Sequence, residues 1–146
     1  YQIREYQKSS ETYLTMIEAD ENALPAKNNL AMLYAEFLNT PENIKTAKAL
    51  IADLQDSENP AFLDTVGWVL YLTGEYDRAV TYLQAAVDQV GSSSLLQYHL
   101  GMAFYKLGDT VNAKVHLELA VKEGRDDSAK RYEGFDVALA TLEGIQ

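Results

Sequence analysis

Apolar residues return every three or four positions along nearly the whole chain, the spacing that lines one face of an α-helix. Between about Ile3 and Ala19, Tyr6, Tyr13, Leu14 and Ile17 share such a face, and Asp20-Glu21-Asn22 then reads as a turn. Pro25 suits a helical first turn, where its missing N–H is harmless, and the stretch from Ala26 to Asn39 carries Leu30, Ala31 and Tyr34. Thr40 and Pro41 supply a cap and first position for a helix reaching about Gln55, with Ala47, Leu50, Ile51 and Leu54 together on one side. Further helices are predicted from Pro60 to near Thr73, Tyr76 to Gln89, Leu95 to Leu107, and from a cap at Asp109 or Thr110 to Gly124. Gly74 and Gly108 are stops with φ > 0, and Ser92-Ser93-Ser94 offers capping hydroxyls. Last, Phe135, Leu139 and Leu142 lie on one face of a helix that Asp136 can cap and that runs to about Glu143. The fold class is all-α.

Between Pro60 and Asp127 one 34-residue unit is written twice: Gly67 pairs with Gly101, Tyr71 with Tyr105, Gly74 with Gly108, Ala79 with Ala113, Leu83 with Leu117, Ala86 with Ala120 and Val87 with Val121. The paired residues are the small and large apolar ones that two packed helices need. A period of this length marks a repeat array, whose helix pairs bury their apolar faces only by stacking on neighbours. Leu63, Val66, Gly67, Leu70, Ala79, Leu83 and Ala86 in the first copy, and Leu100, Gly101, Phe104, Ala113, Leu117 and Ala120 in the second, resemble the tetratricopeptide repeat pattern. Gln97 departs from it where Trp or Leu is usual, and Gly91 and Arg125 stand in place of the terminal proline.

The resemblance implies a right-handed superhelical solenoid of antiparallel helix pairs, with about 3.5 repeats and a C-terminal capping helix over 128–146. In that register 1–22 is the second helix of a truncated repeat, 23–59 a divergent repeat, and 60–93 and 94–127 regular ones. The 23–59 unit is irregular. Ala31 to Ala47 spans 16 positions whereas Gly67 to Ala79 and Gly101 to Ala113 span 12, so a longer first helix carrying Phe37 and Leu38, or a longer turn, is expected there. The unpartnered first helix and the opening Tyr1 read as a fragment of a longer protein.

Composition narrows the functional classes. A chain of 146 residues, 47% hydrophobic and 23% charged, suits one domain with an ample core. A net charge of −10 repels phosphate backbones and anionic lipid, and Lys130-Arg131 with Arg125 is too small a basic cluster to track phosphates, so no nucleic-acid partner is expected. No apolar run is long enough for direct insertion into a membrane. The chain has no cysteine and so no thiolate chemistry. His99 and His116 stand 17 positions apart without a carboxylate at ligand spacing and read as structural, and the Asp20-Glu21 and Asp126-Asp127 pairs read as solvated turns. With no nucleophile elbow, phosphate loop or dinucleotide fingerprint, neither enzyme activity nor a metal or cofactor is expected.

The repeat architecture says more about binding. Tetratricopeptide first helices line a concave groove, and carrying those positions over gives Asn28 and Met32, then Asp64, Trp68 and Tyr71, then Leu95, Tyr98, Met102 and Tyr105. Amphipathic rings and soft thioethers are typical of peptide-binding hot spots, although the same aromatics can serve as packing between helices. The carboxylate-clamp variant has lysine or arginine where this chain has Asn28, Leu95 and His99, and asparagine where it has Met32 and Thr65, so the clamp's cations are missing and an acidic tail is rejected. The expected partner is a protein or peptide segment, apolar or basic. The alternative is self-association into a homo-oligomer through terminal helices that carry Tyr6, Tyr13 or Phe135, within a larger bacterial envelope or secretion assembly. Leu63 to Tyr71, Tyr98 to Ala103 and Asn28 to Ala31 also resemble bacterial repeat lipoproteins of exopolysaccharide and PEP-CTERM export systems, which leans the localisation towards the periplasm.

Overall fold

The computed structural model describes residues 2–145. Eight α-helices make up the described chain: α1 Gln2–Ala19, α2 Leu24–Glu36, α3 Pro41–Ile51, α4 Pro60–Leu72, α5 Tyr76–Gln89, α6 Ser94–Leu107, α7 Thr110–Asp126 and α8 Phe135–Ile145, with a 3-10 turn at Ser128–Lys130. The chain divides into two compact units, 1–74 and 75–146, and the division falls inside the 60–93 stretch.

In the first unit α2 packs against α1, α3 and α4, and α3 packs against α4. Local chemistry sets the ends of these helices. Thr40 accepts a hydrogen bond from the Asn43 backbone N–H at 3.2 Å, Asn59 accepts from Ala61 at 2.9 Å, and Pro41 and Pro60 each occupy a first-turn position. The irregular repeat resolves without a longer first helix. α2 ends five positions after Ala31, as α4 ends five after Gly67. The four extra residues divide into one in the turn, 37–40 against 73–75, and three at the start of α3, which opens six positions before Ala47 where α5 opens three before Ala79. Phe37 and Leu38 therefore lie in the turn, and the Phe37 ring stacks on Tyr6 of α1 at 4.4 Å between centroids. α3 also stops at Ile51, short of Gln55. The chain tightens into i→i+3 bonds, Leu54 N–H to Ile51 C=O at 2.9 Å and Ser57 N–H to Leu54 C=O at 3.1 Å, which keep Leu54 fully buried. Lys27, nearly buried at the start of α2, reaches the Asp53 carboxylate in that turn at 2.6 Å.

In the second unit α6 is the hub, packing on α5, α7 and α8, and α7 packs on α8. Ser93 caps α6 through the Leu96 N–H, Gly108 closes it at φ +91, and Asp109 caps α7 through the Asn112 N–H. Hydrogen bonds from the Asn112 side chain and then its backbone hold the Asp109 carboxyl below its ordinary value. Two boundaries differ from the sequence reading. α7 runs through Gly124 to Asp126, because Gly124 is a docking point for the Phe135 ring rather than a stop: a Cβ there would lie 2.4 Å from Phe135 Cε2. α8 opens at Phe135, entered through Gly134 at φ +98, so Asp136 is a first-turn residue favoured by the helix dipole instead of the cap.

Gln97, the departure from the repeat pattern, is accounted for by two hydrogen bonds. Its Nε2 donates to the Gly91 carbonyl at 2.9 Å and its Oε1 meets His116 Nδ1 at 2.7 Å, which assigns that ring proton to Nδ1. His116 is also stacked on Phe104, and burial lowers its pKa below the ordinary 6.5. In the window below 6.5 the unfolded chain therefore binds more protons than the native one. His116 contributes stability that is complete above 6.5 and is lost as the pH falls. Urea midpoints compared at pH 5 and 7.5 should fall more steeply in the wild type than in a His116→Gln variant.

Candidate functional site

The nine candidate residues divide between the units: Asn28, Met32, Asp64, Trp68 and Tyr71 in 1–74, and Leu95, Tyr98, Met102 and Tyr105 in 75–146. In the first unit, Asn28 and Met32 are one turn apart on α2, and Asp64, Trp68 and Tyr71 follow the same rhythm on α4, which packs alongside it. Asn28, Met32 and Tyr71 are half-buried, and Leu72 beside Tyr71 is exposed. Trp68 is 7% exposed and lies parallel to Tyr71, with ring centroids 4.4 Å apart and planes 9° apart. Asp64 is buried in the α4 run Leu63–Leu70, in which every residue is buried.

Asn28 is the polar group of this face with an open valence. Its Nδ2 donates to Asn29 Oδ1 at 3.3 Å, while among the described residues none donates to its buried Oδ1. An amide oxygen withdrawn from water without a donor is costly, and a partner's N–H would remove that cost.

In the second unit the four α6 residues separate by burial. Leu95 is half-buried and Tyr105 exposed, at the two ends of the helix, whereas Tyr98 and Met102 between them are 7% and 5% exposed. Tyr98 is covered by the segment that enters α8: its ring is 5.7 Å from that of Tyr132, and a Cβ on Gly134 would come within 2.6 Å of it. Tyr132 donates its hydroxyl to the Ala120 carbonyl at 2.8 Å. Burial, with the neighbouring Tyr98 second, pushes that hydroxyl well above the ordinary tyrosine value, so it remains a donor at any physiological pH. The sequence signal for this cover was the Tyr132-Glu133-Gly134-Phe135 run, in which a glycine at positive φ lets the backbone pass against a ring.

No group of three or more metal-ligating side chains occurs among the described residues, and no helix there is long and apolar enough to cross a membrane. Residues 96–123, most of α6 and α7, match the family model of the tetratricopeptide repeat. Two crystal structures of MamA are similar in fold. One aligns at a TM-score of 0.66 and 16% identity over 96% of this chain and 86% of that one, the other at the same score and identity over 97% and 81%. No curated protein matches.

Proposed function

We propose that this chain is a tetratricopeptide-repeat scaffold for protein contacts, which binds a segment of a partner protein on its first-helix faces and performs no chemistry of its own; the repeat match over residues 96–123 and the likeness in fold to MamA support this reading. In the first unit the face is α2 and α4. Asn28, Met32 and Tyr71 touch the partner there, and Asp64 and Trp68 support them from below. In the second unit Leu95 and Tyr105 of α6 are the contacts, with Tyr98 and Met102 as support. The observation that carries this reading is the orphan Asn28 Oδ1, an acceptor without a donor among the described residues, on the same face as a methionine and a stacked aromatic pair. Stacking on Trp68 limits the freedom of the Tyr71 ring before any partner arrives, which lowers the entropic cost of binding. The segment expected is apolar or basic, since an acidic one would meet a chain of net charge −10.

Asn28→Ala is the discriminating variant. Removing an acceptor that has no donor among the described residues should leave the free protein at least as stable as the wild type, since the cost of the orphaned oxygen goes with it. The same change should weaken partner binding by about 5-fold to 10-fold, the worth of one hydrogen bond. Capture of partners from the source organism's extract, compared between wild type, Asn28→Ala and the surface variant Tyr71→Ser/Tyr105→Ser, reads the effect. A partner set identical in all three would remove the first-helix faces from consideration.

The second reading is self-association through terminal helices. Ile3, Leu14 and Met16 are exposed along α1, which favours that helix. Phe135 no longer belongs to this reading, because its ring is 2% exposed and packed on Gly124.

A further inference from the structure

The outer face of α7 carries an apolar stripe that the repeat does not require. Val111, Val115 and Leu119 succeed one another at i, i+4 and i+8 and are 75%, 50% and 45% exposed. Shifted by the 34-residue period, the same three positions on α5 are Asp77, Thr81 and Ala85, and in the irregular repeat, aligned on Ala47, they are Lys45, Ala49 and Asp53. The stacking role of the helix is thus met elsewhere in this chain without large apolar residues on the outside. A shallow groove of about 570 Å³ runs beside the stripe, edged by Glu118, Lys122, Arg125 and Asp126.

We infer that this stripe is the contact for a second copy of the chain, the two α7 helices packing antiparallel about a two-fold axis at Val115. The periodicity of the helix fixes the register. An antiparallel pair centred on Val115 sets Val115 against its own copy and Val111 against Leu119 of the copy on both sides, so all three apolar residues are covered. In the same register Lys114 and Glu118, exposed on one edge of the stripe, lie two residues, about 3 Å of helical rise, out of step with Glu118 and Lys114 of the copy on that same edge, an offset their long side chains span to give two reciprocal ion pairs. Charge supplies a second reason for a copy of this chain as the occupant. The protein carries a net −10, yet α7 holds Lys114, Lys122 and Arg125 against Glu118, Glu123 and Asp126, three of each sign, so two acidic molecules can meet there without a net local repulsion. One helix against another buries less than the roughly 1,600 Å² of a standard interface, so the dimer is weak and exchanging.

The chain has no cysteine, which makes the test direct. Val115→Cys in the full chain should form a disulfide-linked dimer under mild oxidation at least several-fold faster than Val137→Cys, a control on α8 of nearly equal exposure at 49%. In the Val115→Cys background, Lys114→Glu and Glu118→Lys should each slow cross-linking, and the two together should restore it. Equal rates for Val115→Cys and Val137→Cys would overturn the interface, and a double swap as slow as the single ones would overturn the antiparallel register. Circular dichroism of each variant confirms that the fold is retained, as expected for exposed positions. The readout is independent of partner capture on the first-helix faces, so either proposal can fail alone.

Discussion

Phe135→Ala is expected to cost about 3–5 kcal/mol and to release α8 from the second unit. The ring is 2% exposed, lies over Gly124 of α7, has the Arg131 guanidinium 4.6 Å from its centroid, and meets Tyr132 edge-on at 6.0 Å. Truncation removes the anchor of a helix whose other buried contacts are only Ala138 and Leu142. Hydrogen exchange should therefore show α8 losing protection before α5 and α6. Gly124→Ala tests the same joint from the other side and with the opposite sign to helix propensity. An exposed helical glycine gains about 1 kcal/mol on becoming alanine, but here the new Cβ would lie 2.4 and 2.8 Å from two carbons of a buried ring that must then shift, and the net effect is destabilising by about 1–3 kcal/mol. Combining the two substitutions removes the clash, so their costs should be clearly less than additive in a denaturation series.

Trp68→Ala is expected to be as severe, about 3–5 kcal/mol, and to act on folding rather than on recognition alone. The indole is buried within α4 and stacked on Tyr71. As the chain's single tryptophan it also reports on itself: native fluorescence should be blue-shifted and should move to the red with the urea transition. Tyr71→Ser removes only the outer member of the stack and should leave most of the stability intact. A Trp68→Ala protein with an unchanged urea midpoint would mean that the indole is not a packing element.

Most of the helical order was legible because each helix announces itself twice, once by the spacing of its apolar residues and once by its ends. Thr40-Pro41, Gly74, Ser93, Gly108 and Asp109 act locally, and a local rule can be read without knowing the rest of the fold. Gly124 shows the limit of such reading. The same residue type that stops a helix at Gly108 continues one at Gly124, since what decides its role is the Phe135 ring arriving from eleven positions further on. The insertion in 23–59 was visible as a count, but its placement at the start of α3 depends on Ala47 keeping its buried position. Among the candidate residues, position within the repeat placed Met32 and Tyr71 on neighbouring helices of one unit, but it could not separate accessible from buried rings. Tyr98 and Tyr105 read alike in the sequence. Only the former lies beneath the Tyr132-to-Gly134 segment. The α7 stripe was equally present in the pattern, and it becomes visible when the two copies are compared at the positions the repeat leaves free, Val111 against Asp77 and Val115 against Thr81.

The chain's three methionines offer the most direct test of the first-helix binding face, since Met32 is half-buried on α2, Met102 is buried on α6 and Met16 is exposed on α1. A methyl-labelled methionine spectrum recorded while the captured partner is added should show the Met32 signal moving in proportion to occupancy while that of Met16 stays in place. A Met32 signal that stays fixed while Met16 shifts would contradict the account and transfer binding to α1.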